Sequence, residues 1–378
     1  MPIRPSSIRG HLRFWWRATR GAGFDTAQLR RQESKIWGST ENPSPVIIEV
    51  VIVDRGKEYP CATTRGRILK FENNHPPYAL FPFQGDKNKN PAQCISGLIF
   101  DLITICPESL EGEISPAIKA WVNFGGIGAR TRRGCGALYC KDLAPPDGES
   151  VGSWYKSYFA RDKKNQKPKW PLLPEKILVK HNDGDNDPLK IWSEVIGLMH
   201  DFRQGFIGRN PGHDRRPGRS RWPEPETIRQ TSSRRSSQHS RLHAIPDDAF
   251  PRAEFGLPIV FHFKDRDDPN DTELYPVVNG EEKTRMASSL ILRPVICANG
   301  EMVQMILRLK SPSVEEVVLN KAPHNPHFTN IRNPQLAKYQ NSPLGIPKNG
   351  SPSRSPSGSA LEAFISFAKE NGFVEVPQ

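Results

Sequence analysis

The segment FGGIGARTRRGCGAL, residues 124–138, places five glycines and three arginines within fifteen residues. It completes neither a dinucleotide-binding motif nor a P-loop, because Thr131 occupies the third-glycine position of GxGxxG and no Lys–Ser/Thr pair follows. The glycines also follow a predicted helix, whose C-terminal end carries negative partial charge and does not attract phosphate. A phosphate held here must therefore be bound by arginine side chains and by backbone N–H groups that the glycines leave accessible.

This segment, which we call the glycine loop, is thus a candidate contact for a nucleic-acid backbone. The residues that would supply the contact are Gly125, Gly126, Gly128, Arg130, Arg132 and Arg133. The alternative is structural: a tight strand-to-helix crossing whose arginines are solvated.

The hydrophobic pattern around the glycine loop predicts an α+β domain. A helix is predicted to begin at Ser115–Pro116 and to end at Gly125–Gly126, and a strand is predicted from Gly136 to Cys140. Upstream, β-branched runs predict strands at 46–53 and 95–106, with a polar loop over 73–91 between them. With a helix at the start of the chain, this order is one strand short of a ferredoxin-like βαββαβ unit.

That first helix is SIRGHLRFWWRATRG, residues 7–21, with Ser6 or Ser7 as its cap and Gly21 as its end. Its spacing predicts that Trp15 is buried and that Trp16 borders the arginine side. The arginine stripe consists of Arg9, Arg13, Arg17 and Arg20. Because like charges at this spacing repel, we expect a charge partner outside the helix. A solvated basic face and a surface for a polyanion both fit this pattern.

The composition favours an acidic partner. The 378 residues carry a net charge of +12, with a pI near 9.5, so nucleic acid is the first expectation and a membrane surface the second. No apolar run approaches the ~18 residues of a membrane span, and no signal-peptide core is visible, so a cytoplasmic protein without membrane association is expected. The six cysteines lack metal-ligand spacing, and we expect neither a metal nor a cofactor.

The second half of the chain is predicted to contain further strands and helices. Strands are expected at 257–263, 289–296 and 302–309, and helices from Asp187–Pro188 and after a capping box of Ser359 and Glu362. The last helix should end at Gly372, before a strand in FVEV. Between these elements, residues 203–241 contain ten arginines and no lysine, which predicts an extended arm that orders on RNA or on a neighbouring subunit.

These features divide the chain into two predicted domains. The first covers 1–150 and includes the glycine loop, and a linker covers 151–171. The second covers 172–378, with the arginine-rich insertion 203–241 and a low-complexity loop at 341–359.

Four motifs together resemble the type III-B CRISPR RAMP family, and within it the two-domain subunit at the head of the Cmr effector complex. They are RPSSIRGHLRFWWRA (4–18), the glycine loop, FGLPIVFHF (255–263) and RMASSLILRPV (285–295). The resemblance implies two ferredoxin-like (RRM-like) RAMP domains. Family members begin with a strand ahead of the first helix, and here only Met1 to Pro5 precede the Ser-Ile-Arg-Gly helix, so the first domain would lack its N-terminal strand. Either the start of the protein lies upstream of Met1, or the first sheet is incomplete. It also implies a subunit that binds CRISPR guide RNA, target RNA or both, beside other RAMP subunits, without cutting RNA.

The alternative is a RAMP endoribonuclease that processes CRISPR RNA by metal-independent acid–base cleavage, which relatives perform with histidine. His11 is the best candidate for that chemistry, and His239, His243, His324 and His327 are further histidines. No pair of histidines stands at a spacing that forces proximity, and no Ser–His–Asp pattern or carboxylate pair is visible. We therefore predict no catalytic residue.

Overall fold

The computed structural model describes most of the chain: residues 3–65, 68–71, 75–86, 88–159, 168–182, 184, 186–205, 207–209, 218–238, 250–314, 316–321, 331–332 and 359–376. It divides into two compact units. Unit 1 contains Met1–Gly197, Leu290–Pro312 and Val374–Gln378, and unit 2 contains Leu198–Ser289 and Ser313–Phe373. These boundaries differ from the predicted division at 151–171, because strands from the second half of the chain are part of unit 1.

Eight α-helices are present in the described residues. They are α1 (Pro5–Arg20), α2 (Thr26–Trp37), α3 (Pro77–Leu80), α4 (Glu108–Phe124), α5 (Val151–Phe159), α6 (Pro188–Arg203), α7 (Glu224–Ser232) and α8 (Ala360–Glu370). None of these helices is both long enough and apolar enough to cross a bilayer.

Fifteen strands make up the sheets of the described residues. Unit 1 contains β1 (Ile47–Asp54), β2 (Lys57–Pro60), β3 (Ala62–Arg65), β4 (Ile68–Phe71), β5 (Gln93–Ser96), β6 (Ile99–Ile105), β7 (Leu172–His181), β11 (Leu290–Ile296), β12 (Met302–Lys310) and β15 (Val374–Glu375). Unit 2 contains β8 (Ile259–Phe261), β9 (Thr272–Val278), β10 (Glu281–Glu282), β13 (Glu316–Lys321) and β14 (Ile331–Arg332).

Unit 1 is a mixed α/β unit built around one apolar core. Strands β1 and β6 pair in antiparallel register from Ile47↔Ile105, and a four-stranded sheet has the order β11-β12-β7-β15. The inner faces of both sheets share the core with α1, α4 and α5, and Trp15, Trp16 and Trp121 are among its buried side chains.

Unit 2 has a five-stranded sheet in which β9 pairs with β8, β10 and β13, and β13 pairs with β14. Its apolar core includes Ile228 on α7 and Leu274 on β9. An aromatic cluster lies in the same unit, where the ring of Phe202 is 5.4 Å from that of Phe364 and 5.6 Å from that of Trp222.

Most of the predicted elements are present. The strands at 46–53, 289–296 and 302–309, the helix that begins at Pro188, and the last helix and strand are confirmed. The hydroxyl of Ser359 accepts a hydrogen bond from the N–H of Glu362, as the predicted cap requires. The strand at 95–106 is interrupted, because β5 pairs with β2 whereas β6 pairs with β1. The low-complexity loop 341–359 lies outside the described residues, apart from Ser359.

Two predictions beside the glycine loop are wrong. Helix α4 begins at Glu108 rather than at Ser115, so Pro116 lies inside it. No strand forms from Gly136 to Cys140. Among the described residues no strand lies beside this segment to pair with it, and a strand without a hydrogen-bonding neighbour is not stable.

The described part of the arginine-rich segment is packed, and the predicted extended arm is wrong there. Residues 218–238 include α7, and Trp222 and Ile228 are buried. Its arginines pair with buried carboxylates: Arg229 with Asp268 at 2.7 Å, and Arg219 with Glu226 at 2.8 Å. Ion pairing with acids, one of them 39 positions away, keeps this polar segment folded.

Candidate functional site

Helix α1 carries the arginine stripe and begins earlier than predicted. Pro5 occupies the first turn and Arg4 is the N-cap residue, so neither Ser6 nor Ser7 caps the helix. Proline fits this position because its φ is already helical and the N–H it lacks would have no partner there. The helix ends at Gly21, as predicted.

Both tryptophans of α1 are buried. Trp15 lies beside Phe124, with ring centroids 6.1 Å apart, which confirms its predicted burial. Trp16 was expected at the border of the arginine side, and that prediction is wrong. Its indole N–H donates to Glu113 of α4 at 2.9 Å. Because α1 packs against α2, α4 and strands of both sheets, its buried arc is wider than one apolar stripe.

Two arginines of α1 share one carboxylate. The Nε of Arg13 is 2.7 Å from Oε1 of Glu33 on α2, and the Nε of Arg17 is 3.8 Å from Oε2 of the same residue. Glu33 is thus the charge partner that the stripe required. One carboxylate cannot neutralise two guanidinium groups, and the side chains of Arg13 and Arg17 are 38% and 39% exposed. A positive charge therefore remains at the surface.

The other two arginines of α1 donate to backbone carbonyls. Arg9 donates to the carbonyl of Val46 at 3.1 Å, and Arg20 donates to that of Gly112 at 2.9 Å. Gly112 is four residues before Pro116, so its carbonyl is the one that the proline cannot bond within α4. Arg20 is only 9% exposed and takes the place of the missing helical donor.

The glycines of the loop allow backbone segments to approach closely. The N–H of Ile127 donates to the carbonyl of Gly136 at 2.9 Å, which closes the loop. A Cβ on Gly136 would lie 1.9 Å from the carbonyl oxygen of Ile127, and the φ of Gly136 is +62°, so only glycine fits. Gly125 also lies close to α1, since a Cβ there would be 2.6 Å from the indole nitrogen of Trp15.

The three arginines of the loop differ in environment. Arg133 is 8% exposed and donates to the carbonyl of Leu290 at 3.2 Å, so it fastens the loop to β11. Arg130 is half-buried, in a left-handed backbone conformation, and donates to the carbonyl of Tyr78. Arg132 is also half-buried, and burial lowers its pKa to about 10, which still leaves it charged at neutral pH.

Helix α1 and the glycine loop meet at Phe14. The guanidinium carbon of Arg132 lies 5.7 Å from the centroid of the Phe14 ring, a cation–π distance. Phe14 is adjacent to Arg13 and one helical turn from Arg17. Arg132 thus adjoins the half-buried Arg13 and Arg17 of α1, whereas Arg20 and Arg133 point into the protein.

Arg293 on β11 positions this site and was not singled out in the sequence. Its guanidinium donates to the carbonyls of Val122 and Gly125, at 3.1 and 2.7 Å, and to that of Leu138 at 2.8 Å. It is 2% exposed, and burial lowers its pKa to about 10. A cation at the C-terminus of α4 is favourable because carbonyl oxygens converge there. The sequence feature that could have identified Arg293 is that it is the one charged residue in the otherwise apolar strand LILRPVI.

Three described histidines pair with carboxylates: His181 with Glu301, His200 with Asp201 and His262 with Asp271. None of the three is a histidine that the sequence singled out as a candidate. His11 stacks on Trp121 with ring centroids 6.2 Å apart, and burial lowers its pKa. Within the described part of the chain it has no hydrogen bond or ion pair. His239, His243, His324 and His327 lie outside the described residues. No three His, Cys, Asp or Glu side chains cluster as metal ligands among the residues with assigned structure.

Comparison with known proteins gives a family for the part of the chain that contains α1, α4 and the glycine loop. Residues 1–139 match the sequence model of the RAMP superfamily. The match covers 139 of the 378 residues. The resemblance that the motifs indicated is confirmed. The motifs at 255–263 and 285–295 lie beyond the RAMP match.

Two CRISPR system Cmr subunits of Pyrococcus furiosus are similar in sequence. Cmr1-1 is 27% identical over 141 residues, which cover 36% of this chain and 40% of Cmr1-1. Cmr1-2 is 27% identical over 150 residues, which cover 35% of this chain and 80% of Cmr1-2. The match thus spans less than half the length of the first of these relatives.

Two solved structures are similar to this chain over most of its length. The crystal structure of apo Cmr1 from Pyrococcus furiosus has a TM-score of 0.48 and 14% identity, with 99% of this chain and 91% of that chain covered. A chain in the cryo-EM structure of the type III-B Cmr-beta complex bound to cognate target RNA has a TM-score of 0.43 and 12% identity, with 82% and 90% covered.

Proposed function

We propose that this protein is a non-catalytic RNA-binding subunit of a type III-B CRISPR effector complex in the cytoplasm. It would contact guide RNA, target RNA or both, beside other RAMP subunits. The observation that carries the proposal is the sharing of Glu33 by Arg13 and Arg17, which leaves uncompensated positive charge at the surface. The adjoining Arg132 extends this surface to the glycine loop.

The proposed RNA surface consists of Arg9, Arg13, Arg17, Arg130, Arg132 and the exposed loop residue Gly128. The φ of Gly128 is +89°, and apart from its own residue and its two chain neighbours no heavy atom lies within 4 Å of the position of its missing Cβ. A backbone N–H in such an open segment is accessible to a phosphate oxygen. Arg20 and Arg133 support this surface from inside the protein.

We also propose that two ferredoxin-like domains underlie the fold. The order of the four-stranded sheet supports the second domain, because β7, β11, β12 and β15 are its first, second, third and fourth strands along the chain and lie in the order 2-3-1-4. Helices follow the first strand and precede the fourth in sequence. The first domain would comprise α1, β1, β6 and α4 and lack its first strand.

Substitution of the arginines and substitution of Glu33 should change the affinity for RNA in opposite directions. Arg13→Gln with Arg17→Gln removes two guanidinium groups, so affinity for a single-stranded RNA should fall about tenfold. Glu33→Gln removes the competing carboxylate and should raise the affinity. Fluorescence anisotropy with a labelled RNA, on variants shown to be folded by circular dichroism, measures both effects.

Matched substitutions control for net charge. Arg55→Gln with Lys57→Gln removes two exposed positive charges on and beside β2, and Glu58→Gln removes one exposed carboxylate from the same strand. Both variants should leave the affinity nearly unchanged. If Glu33→Gln weakens binding as much as the double arginine variant does, the arginines serve to pair Glu33 and the proposed RNA surface is wrong.

A further inference from the structure

Helix α2 carries a basic face that lies outside the proposed RNA surface. Arg30, Arg31 and Lys35 are exposed, and their side chains form no hydrogen bond or ion pair with other described residues. The one acid within the helix, Glu33, is buried against α1. Residues 1–40 contain eight lysines or arginines and two acids, so half of the net charge of +12 lies in about a tenth of the chain. Positive charge is thus concentrated on α1 and α2.

Glu33 connects this face to the arginine stripe. It contacts Arg13 at 2.7 Å and Arg17 at 3.8 Å. Arg30 is three residues before Glu33 on α2, so the two side chains lie one turn apart on the same side of the helix. Three arginines therefore surround one carboxylate, which compensates only one of their charges. The positive surface of α1 continues onto α2 at this point.

The charges of the α2 face are not compensated along the helix itself. Arg31 and Lys35 are four residues apart, and like charges at this spacing repel each other. Lys35 lies in the last turn, where the helix dipole favours a cation. Arg30 and Arg31 lie in the middle of the helix and gain nothing from the dipole. An anion bound along this face would remove the repulsion.

The side chains of α2 fit a phosphate backbone better than a protein partner. No large apolar side chain is exposed on this helix. Protein interfaces are anchored by apolar, aromatic or arginine side chains in desolvated pockets, whereas phosphate contacts need exposed cations alone.

We propose that the RNA backbone continues from the glycine loop across α1 onto α2, where Arg30, Arg31 and Lys35 make further phosphate contacts. The inference rests on the proposed function and extends its RNA surface to a second helix. Because these side chains contact phosphate and not base edges, this part of the surface takes RNA of any sequence.

A double substitution on α2 of the full-length chain tests the extension. Arg30→Gln with Arg31→Gln should lower the affinity for a single-stranded RNA about tenfold. It should also reduce the slope of log affinity against log salt by about 1.4, since each lost phosphate contact contributes about 0.7. The matched control, Lys264→Gln with Arg266→Gln, removes two exposed cations from unit 2 and should change neither quantity. Circular dichroism verifies that each variant is folded.

Chemical modification of Lys35 tests the contact directly in the wild-type protein. Acetylation by an N-hydroxysuccinimide ester requires the neutral amine, and an ammonium group paired with phosphate stays protonated. Lys35 should therefore lose most of its reactivity at saturating RNA, whereas the exposed Lys264 of unit 2 should keep its reactivity. Mass spectrometry of the digested protein measures both sites.

The inference and the proposed function fail in different ways. If the α2 variant binds like its control, or Lys35 stays reactive at saturating RNA, while Arg13→Gln with Arg17→Gln still weakens binding, the RNA does not reach α2 and only the inference is overturned. If the α1 and α2 variants both bind like the wild type, the proposed RNA surface is wrong as well.

Discussion

At the scale of single residues, Arg20 compensates for the hydrogen bond that Pro116 removes from helix α4. Proline inside a helix removes one backbone hydrogen bond, and the carbonyl left behind costs free energy if it is buried without a donor. The guanidinium of Arg20 supplies that donor to Gly112. A basic residue of the stripe thus stabilises the packing of α1 on α4, which its spacing alone could not reveal.

A double-mutant cycle tests this coupling. Arg20→Ala should lower the free energy of unfolding by more in the wild-type background than in Pro116→Ala, because alanine restores the helical N–H to Gly112. The expected coupling energy is about 1 kcal/mol, the net value of one hydrogen bond. Thermal or urea unfolding of the two single variants and the double variant measures it. Additive effects would show that Arg20 stabilises the protein by packing alone.

At the scale of a single element, buried acidic residues hold helix α7 and its flanking residues in place. Asp268 is 2% exposed, accepts two hydrogen bonds from the guanidinium of Arg229, and accepts a third from the N–H of Ser236. Glu226 likewise pairs with Arg219 and Arg235. Removing one member of such a pair leaves an uncompensated buried charge.

Asp268→Asn should therefore destabilise unit 2 by about 3–5 kcal/mol and expose residues 218–238 to protease. The wild-type protein, without RNA, should resist cleavage there. Limited proteolysis with trypsin, followed by mass spectrometry, measures both. Asp267→Asn, at the exposed neighbouring position, is the matched control and should resist cleavage like the wild type. Rapid cleavage of the wild type in 218–238 would restore the extended arm that the composition predicts.

The sequence predicts those helices and strands whose position is determined by the local pattern of residues. Strand β1, helix α8 with its Ser359 cap and the end of α1 at Gly21 all follow from spacing and end signals. A strand at Gly136–Cys140 would need a partner strand from another part of the chain. The packing of α7 likewise depends on acidic residues, one of which is distant in sequence. Contacts between residues that are distant in sequence cannot be predicted from the spacing of residues within one segment.

The candidate site was predictable to a similar degree. Charge and glycine spacing identified α1 and the glycine loop as one candidate surface, and the structure brings them together at Phe14. Spacing could not separate Arg13 and Arg17, whose side chains keep more than a third of their surface exposed, from Arg20 and Arg133, which donate into the protein. That separation depends on carbonyls that lose their helical donor or lie on a distant strand.

For the whole molecule, the net charge differs from the number of positive charges that are available to contact phosphate. The chain carries +12, yet Arg219, Arg229 and Arg235 of unit 2 are held by carboxylates. Counterion release depends on cations that reach phosphate, not on the total charge. RNA affinity should therefore respond to the position of a lost arginine, even when the net charge changes equally.

The salt dependence of RNA affinity tests this distinction. The logarithm of affinity should fall linearly with the logarithm of salt concentration, with a slope of about 0.7 per phosphate contact on a single strand. Arg17→Gln should reduce the slope by about that amount. Arg234→Gln removes the same charge from an exposed position in unit 2, where the guanidinium donates to Asn270, and should leave the slope unchanged. Equal reductions in both variants would mean that overall charge binds RNA and that α1 with the glycine loop has no special part in it.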